Sequence, residues 1–235
     1  MTPNLRRLTM PIKNYISPIQ MERIEESERA KALLNAGIDL FGIYGIKGTK
    51  TRMLADESGS NSAAVTYYFG SKQGLYFATM DHIVDGILEM TNPFIEVIEE
   101  KLKSGLNKKE ALDEFQNLME GFCELFIEDN GLERWTNIIL REHASPTEAY
   151  DIFYDRYYKR TQNIMRELIG NVTDQDSKSD EVMILAHAIF GQTLGFLIAR
   201  ESLERGLKGK KIKKNHHGIM QETIRINIQA MLGRG

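Results

Sequence analysis

The sequence predicts an all-α protein with two domains, and three observations support this. Apolar residues recur at helical spacing along most of the chain after residue 22. The breaks between these runs are rich in Gly, Asn, Ser or Lys, as loops are. No run of alternating polarity is long enough for a strand. With 42% hydrophobic and 27% charged residues in 235, the chain can bury a substantial core.

The first twenty residues hold three of the five prolines and no acidic residue. We interpret residues 1–21 as a flexible arm. A helix is predicted from Glu22 to Tyr44, and Gly45 ends it. Pro93 and Pro146 are placed at helix starts, where a missing N–H is tolerated. The other predicted helices span 50–58, 62–69, 72–90, 93–103, 108–129, 132–144, 146–169, 180–204 and 216–232.

Composition excludes several classes of protein. Thirty Lys/Arg against thirty-three Asp/Glu give a net charge of −3, so the chain is not a polycation that coats nucleic acid. One cysteine, Cys123, allows no internal disulfide and no multi-cysteine zinc site. No stretch of eighteen apolar residues and no signal peptide is visible, so we expect a cytoplasmic protein without a membrane span. We also expect no metal and no cofactor.

The charge is unevenly distributed. Residues 1–75 hold ten Lys/Arg and seven Asp/Glu, whereas residues 76–235 hold twenty and twenty-six. A basic first third suggests that this part meets a polyanion.

The most informative segment, residues 51–70, has the sequence TRMLADESGSNSAAVTYYFG. Ala55 allows two short helices to cross closely, and Gly59 suits a left-handed turn between them. The second of these helices begins with short side chains from Asn61 to Ala64, which let a helix N-terminus approach base edges in a major groove. The tyrosines at 67 and 68 and Lys72 are suited to phosphate contacts. An ordinary helical hairpin with a polar face is the alternative.

The stretch from Ala30 to Leu75 resembles the TetR family of bacterial transcriptional regulators. The matching residues are LFGIYGIKGTKTRMLADESGSNSAAVTYYFGSKQGLY. They include a first helix ending at Phe41 and Gly45, the turn glycine Gly59, and Tyr-Tyr-Phe-Gly-Ser-Lys before Leu75. Residues 141–150, REHASPTEAY, are similar to the CecR-like subgroup of that family.

The resemblance implies a ligand-responsive regulator, with repression the expected sign, that binds a palindromic double-stranded DNA operator as a homodimer. It implies a helix-turn-helix domain at 22–71 and a helical effector-binding and dimerisation domain at 72–235. Thr49 is expected near a phosphate, residues 62–64 near bases, and Tyr67 and Lys72 on the DNA backbone. Ser60 and Thr66 depart from the family pattern, which often has an apolar residue and a tyrosine there. The full set of expected DNA-contacting residues is Thr49, Thr51, Arg52, Asn61, Ser62, Ala63, Ala64, Thr66, Tyr67 and Lys72.

The second domain gives weaker signals, because its aromatic and small residues fit an ordinary core as well as a functional surface. Aromatics and methionines can line an adaptable pocket for a small-molecule effector. The expected effector residues are Met119, Phe122, Phe126, Trp135, His143, Tyr154, His187 and Phe190. Small residues one turn apart allow a second helix to approach closely. The expected dimer-interface residues are Phe153, Tyr157, Gly191, Leu194, Gly195 and Ile198.

Two other classes of function stay open from the residues alone. One is a helical enzyme that binds a small molecule, with Glu142, His143 or His187 in a polar pocket, although no catalytic spacing connects them. The other is a protein-interaction module whose residues 1–75 bind an acidic partner. We predict no catalytic residue. The lysine run at 208–214 is interpreted as a solvated loop, with non-specific contact to DNA or to a partner as the alternative.

Overall fold

The computed structural model describes residues 27–127 and 131–233. The expected arm at 1–21 therefore lies outside the described residues. All regular structure in the described part is helical, which confirms the all-α prediction. The helices are α1 Glu28–Gly48, α2 Thr51–Glu57, α3 Ser62–Phe69, α4 Lys72–Ser104, α5 Lys108–Ile127, α6 Leu132–Ala144, α7 Glu148–Phe153, α8 Lys159–Thr173, α9 Asp180–Ile198, α10 Arg200–Gly206 and α11 Lys214–Leu232.

The chain divides into two compact units. The first comprises residues 27–84 and 137–153 of the described chain, and the second comprises the rest. This division differs from a boundary at residue 71, because buried Leu75, Tyr76 and Met80 on α4 belong to the first unit. Helices α4 and α6 each contribute residues to both units.

Local chemistry explains the helices of the first unit. The Ser27 side chain accepts a hydrogen bond from the Ala30 N–H and begins α1. Gly45 interrupts the helical geometry of α1 with φ 66° and ψ 172°, a conformation that only glycine adopts readily. The Asn61 side chain caps α3 through the Ala64 N–H at 3.0 Å. The Ser71 hydroxyl accepts from the Gly74 N–H at 2.9 Å and begins α4.

Three predicted helix boundaries were wrong. Pro93 does not begin a helix but lies inside the 33-residue α4, because buried apolar residues such as Ile87 and Ile95 continue on both sides and outweigh a proline cost of about 3 kcal/mol. The helix predicted at 146–169 contains a π-helical turn at Tyr154–Tyr158 between α7 and α8. The helix predicted at 180–204 breaks at Ala199, whose φ of −103° and ψ of 23° leave the helical region.

The second unit is a helical bundle in which α5 packs against α8, α9 and α11. Its core contains Phe115, Phe122, Met165, Leu168 and Ile189, each at most 1% exposed. Continuous apolar stripes on α5 and α8 supply most of this core, as helical periodicity predicts.

Candidate nucleic-acid interface and effector region

Helix α3 exposes one face and buries the other. Val65 and Phe69 are buried in the first unit, while Ser62, Ala63 and Thr66 are exposed. Tyr67 is 59% exposed. The exposed face is small and polar at its N-terminal end, which permits close approach to base edges, and it carries a phenol one turn later.

The first turn of α2 adds positive charge beside a helix N-terminus. Arg52 is exposed and lies 3.8 Å from the Asp56 carboxylate, a distance at which its guanidinium remains available to other partners. Lys47 and Lys50 are also exposed on either side of the α1–α2 junction. Sequence reasoning missed these two lysines as individual residues, although the basic excess of residues 1–75 pointed to this region.

Thr49 has a different role from the one expected. Its side chain is fully buried. Its hydroxyl donates to the carbonyls of Leu40 and Gly45, at 3.1 and 2.8 Å. Lys50, not Thr49, is the N-cap residue of α2. The Thr49 hydroxyl thus satisfies carbonyls at the end of α1, and the expected position of Thr49 near a phosphate stays a prediction.

Two cations hold the same end of α1. The Lys72 ammonium donates to the carbonyls of Ile46 and Thr49, both at 2.7 Å. The Arg141 guanidinium on α6 donates to the Gly42 carbonyl at 2.7 Å and to the Ile43 carbonyl. Positive charge is favourable at a helix C-terminus, where carbonyl groups lack intrahelical partners. Lys72 is thus a structural cap as well as an expected phosphate contact.

A buried carboxylate next to Arg141 fastens α6 to α4. Glu142 accepts hydrogen bonds from the Tyr76 hydroxyl at 2.5 Å and from the Thr147 N–H at 2.8 Å. Burial, together with the neighbouring Glu142 carboxylate, raises the pKa of Tyr76 well above its ordinary value. In the sequence, residues 141–147 stand out only by their similarity to the CecR-like subgroup. Nothing in the local pattern of apolar residues predicts that they contact residues 42–76.

The apolar members of the expected effector set form a packed core in the second unit. Phe122 stacks on Phe126 at 6.0 Å and meets Phe190 edge-to-face at 5.4 Å. Met119 is fully buried. This packing is what an ordinary hydrophobic core requires of Met119 and the three phenylalanines.

The other expected effector residues are scattered. Trp135 is half-buried, and its indole lies so close to Gly86 on α4 that a Cβ there would be 2.2 Å from the ring. Tyr154 and His187 are exposed, and the His187 ring hydrogen-bonds the Tyr158 hydroxyl at 3.1 Å. His143 belongs to the first unit and packs edge-to-face on Tyr150.

The grooves of the second unit include two open ones of about 660 and 840 Å³, and the expected effector residues line neither of these two. Charged residues of both signs line the smaller groove. There Arg160 donates to both carboxylate oxygens of Glu99 at 2.7 Å and to the Asn92 side chain at 2.8 Å. This ion pair lowers the pKa of Glu99, chiefly through the hydrogen bonds from Arg160.

The expected interface residues divide by exposure. Phe153 and Tyr157 are buried within the chain, and their expected contact with a second copy stays a prediction. Gly191 and Ile198 on α9 are exposed, and Leu194 and Gly195 are half-exposed. A Cβ at Gly191 or Gly195 would meet open space.

Helix α9 is also the one helix in the described residues that is long and apolar enough to cross a membrane, with a mean hydropathy of 1.6 over an 18-residue window. The window also contains the polar residues His187, Gln192 and Thr193, so it is not an unbroken run of eighteen apolar residues. A third of that window is buried. Length and composition alone do not separate a membrane span from a helix that pairs with another helix.

Comparison with known proteins decides the family. The model of the "HTH-type transcriptional dual regulator CecR, C-terminal domain" matches residues 110–233, and that of "Bacterial regulatory proteins, tetR family" matches residues 33–79. The chain belongs to the TetR family of transcriptional regulators. Its second domain is of the CecR type. The resemblance identified from the sequence is confirmed, and the protein is a regulator with a DNA-binding helix-turn-helix rather than an enzyme.

A relative and two solved structures agree with this. The HTH-type transcriptional dual regulator CecR of Shigella flexneri is 28% identical over 210 residues, 89% of this chain and 93% of the relative. AibR, solved with isovaleryl coenzyme A and operator DNA, is 18% identical with a TM-score of 0.58, covering 87% of this chain and 98% of AibR. FadR of Bacillus subtilis, solved with stearoyl-CoA, is 16% identical with a TM-score of 0.53, covering 86% and 97%.

The described residues contain no group of three or more His, Cys, Asp or Glu side chains placed to hold a metal ion. Cys123 is buried, and burial raises the pKa of its thiol to about 11. A thiol with that pKa is protonated at neutral pH, which disfavours a nucleophilic role.

Proposed function

We propose that this regulator is a cytoplasmic homodimer that represses transcription by binding a palindromic operator, and that a small-molecule effector changes its affinity for DNA. The observation that carries the proposal is the exposed, small and polar face of α3 beside the basic start of α2. A face of this kind fits a major groove, since short side chains let the helix N-terminus reach base edges.

Roles on DNA follow from position. The base-reading set comprises Asn61, Ser62, Ala63, Ala64 and Thr66, at the N-terminal and exposed side of α3. The phosphate-contacting set comprises Thr51, Arg52, Tyr67 and Lys72, to which we add Lys47 and Lys50 because both are exposed at the α1–α2 junction. Backbone contacts fix the register of the protein on the duplex, and base contacts give the sequence preference.

The dimer is supported by the exposed face of α9. Ile184 is 68% exposed and Ile198 is 47% exposed. Ile198 lies about four turns after Ile184 on the same side of α9, and the open positions Gly191 and Gly195 lie between them on that side. The adjacent α11, bonded to α9 through Asn227 and Gln192 at 3.1 Å, exposes Ile219 and Ile226. Two such helices from each copy would form a four-helix interface and cover this apolar surface.

Effector control is supported by the continuity of two helices. Residues of α4 and α6 belong to both compact units, so a shift of either helix in the second unit acts on residues that hold α1 in the first. AibR and FadR have been solved with coenzyme A thioesters. An effector that favours one arrangement of the dimer changes operator affinity only by its differential affinity for the two arrangements.

Selection of duplexes from a random-sequence pool with the purified protein tests the DNA-binding part. We expect an enriched inverted repeat whose half-sites are about one helical turn, roughly 34 Å, apart. Placing that repeat over a promoter then tests repression by transcription in vitro. Enrichment of single half-sites would overturn the dimeric proposal, and enrichment of nothing by a folded dimer, with and without cell extract, would overturn operator reading.

The effector can be sought with an intrinsic probe. Trp135 is the only tryptophan of the chain, and it packs on Gly86 of α4. Its emission therefore reports movement of α6 against α4 within the second unit. A compound that shifts the emission and changes the operator dissociation constant is an effector. Compounds that bind tightly yet leave operator affinity unchanged would contradict the proposed coupling.

A further inference from the structure

A loop of lysines between α10 and α11 is organised by one buried carboxylate. Glu204 accepts hydrogen bonds from the Lys211 ammonium at 2.8 Å and from the Ile212 N–H at 3.1 Å. Arg200 lies 3.6 Å from the same carboxylate. These contacts lower the pKa of Glu204, chiefly through Lys211. The carboxylate thus fixes both ends of a short segment that has no helix of its own.

Three lysines of this loop are exposed: Lys208, Lys210 and Lys213. Lys208 has a φ of 61°, which is uncommon for a residue with a side chain. The Leu203 and Ile212 side chains, which lie on either side of Lys208 and Lys210 in the sequence, pack against a core cluster that contains Ile127. The exposed ammonium groups are therefore carried on an anchored segment.

The charge of this segment is opposite to that of its domain. Residues 200–217 hold seven Lys/Arg and two Glu, whereas residues 76–235 as a whole hold twenty Lys/Arg and twenty-six Asp/Glu. An acidic domain is repelled by the phosphates of DNA, and the repulsion extends over roughly a Debye length of 8–10 Å. A compact basic segment reverses that repulsion locally.

The position of the loop within the second unit favours DNA over another polyanion. Ile127 ends α5, and Arg200 lies 3.8 Å from Glu133 in the first turn of α6. From Asn137 onward, α6 belongs to the unit that contains α2 and α3. Within the second unit, the lysine loop therefore lies near the C-terminal end of α5 and the first turn of α6.

We infer that the loop formed by Lys208, Lys210 and Lys213 is a second DNA-contacting surface, which binds phosphates of the duplex flanking the operator. The inference rests on the proposed function, since it requires an operator complex. The contact adds affinity without sequence preference, because ammonium groups read phosphate charge and not base edges.

The test compares two duplexes that share the selected inverted repeat, one ending at its edges and one extended by ten base pairs of random sequence on each side. The variant is K208A/K210A/K213A. On the extended duplex we expect the variant to have a shallower dependence of log affinity on log salt, by up to about 2.7 for each loop engaged. The loss of affinity between 50 and 200 mM salt should therefore be smaller for the variant by a factor of roughly 40. On the short duplex the variant and the natural sequence should bind alike.

The matched control is K109A/K159A/K178A, which removes the same charge from three exposed lysines elsewhere in the second unit. It should behave as the natural sequence on both duplexes. Equal salt slopes for the loop variant and the natural sequence on the extended duplex would overturn the inference. An acidic protein would then be the remaining candidate partner for these lysines. Normal binding of the short duplex by all three proteins shows that the proposed function stands in either case.

Discussion

Helices α3 and α9 both leave much of their surface uncovered, and the chemistry of what they expose differs. On α3 the exposed residues are Ser62, Ala63, Thr66 and Tyr67. On α9 they include Ile184, Gly191 and Ile198. A small polar face loses little by staying hydrated, whereas an apolar face of this size costs free energy until another apolar surface covers it.

The difference in polarity between the two exposed faces indicates a different partner for each helix. DNA presents hydrogen-bonding base edges and phosphates, which match the short polar side chains and nearby cations of α3. In the proposed dimer, a second copy of the chain would present the same apolar face to α9, and the contact would be self-complementary. Substitutions on α3 should therefore change operator binding, and substitutions on α9 should change dimerisation. Four substitutions test this difference, one on each of these helices and two elsewhere in the chain.

The largest effect is expected from Ile184→Glu on α9. A carboxylate in the proposed interface would be buried without a partner, so the dimer should dissociate in sedimentation analysis. Loss of one of two half-site contacts should weaken operator binding by at least about 100-fold, roughly 2.7 kcal/mol. Val97→Glu is the matched control, since Val97 is similarly exposed on α4. A variant at 184 that remained dimeric would remove α9 from the interface.

The next effect is expected from Ala63→Leu on α3. The larger side chain would hold the helix away from the base edges, so affinity for the selected operator should fall by about 10- to 100-fold, the cost of one or two base contacts. Binding to random duplex should change little, because phosphate contacts remain. Ala144→Leu, at an exposed alanine in the same unit, serves as control. Equal losses on operator and random DNA would contradict a base-reading role.

The sequence predicted α3 well because its signals are local. Asn61 caps the helix, Gly70 ends it with a φ of 73°, and Val65 and Phe69 mark the buried side. The predicted bounds of 62–69 match the structure. For α9 the apolar residues were evident, but which of them face outward depends on α5, α8 and α11, and periodicity over a helix that is apolar on most sides does not define a face.

The third effect is expected from Arg141→Ala, which changes neither helix. Arg141 holds the end of α1 through the carbonyls of Gly42 and Ile43, and α1 leads directly into α2 and α3. Loss of two charge-assisted hydrogen bonds should lower the free energy of unfolding by about 1–2 kcal/mol. Operator and random DNA should be affected together, since the whole DNA-binding unit is loosened.

Arg205→Ala is the control, because Arg205 forms only an exposed pair with Glu201 on one helix and should contribute less than about 0.5 kcal/mol. Unchanged stability of the 141 variant would show that Lys72 and Thr49 suffice to hold α1. Sequence could not predict this contact, since nearly a hundred residues separate Arg141 from Gly42. A separation of 66 residues hid the Tyr76–Glu142 bond in the same way. The buried role of Thr49 depends on nearby carbonyls, but a capping residue and a phosphate contact share one sequence signal.

The smallest effect is expected from Glu99→Gln in the second unit, far in sequence from either face. The Arg160 guanidinium lowers the pKa of Glu99, so the folded state favours the carboxylate more strongly than the unfolded state does. The stability that this pair contributes is present above the ordinary glutamate pKa of about 4.3 and is lost as the pH falls through the lower folded value.

The Tm difference between the natural sequence and the variant should be largest near pH 7, equivalent to about 0.5–1 kcal/mol for a partly exposed bidentate pair, and should shrink below pH 4. Glu89→Gln, exposed on the same helix, should show no such trend. Because Glu99 lies on neither α3 nor α9, operator affinity and dimerisation at pH 7 should not change. A change in either would mean that the ion pair between Glu99 on α4 and Arg160 on α8 also affects the geometry of α3 or α9.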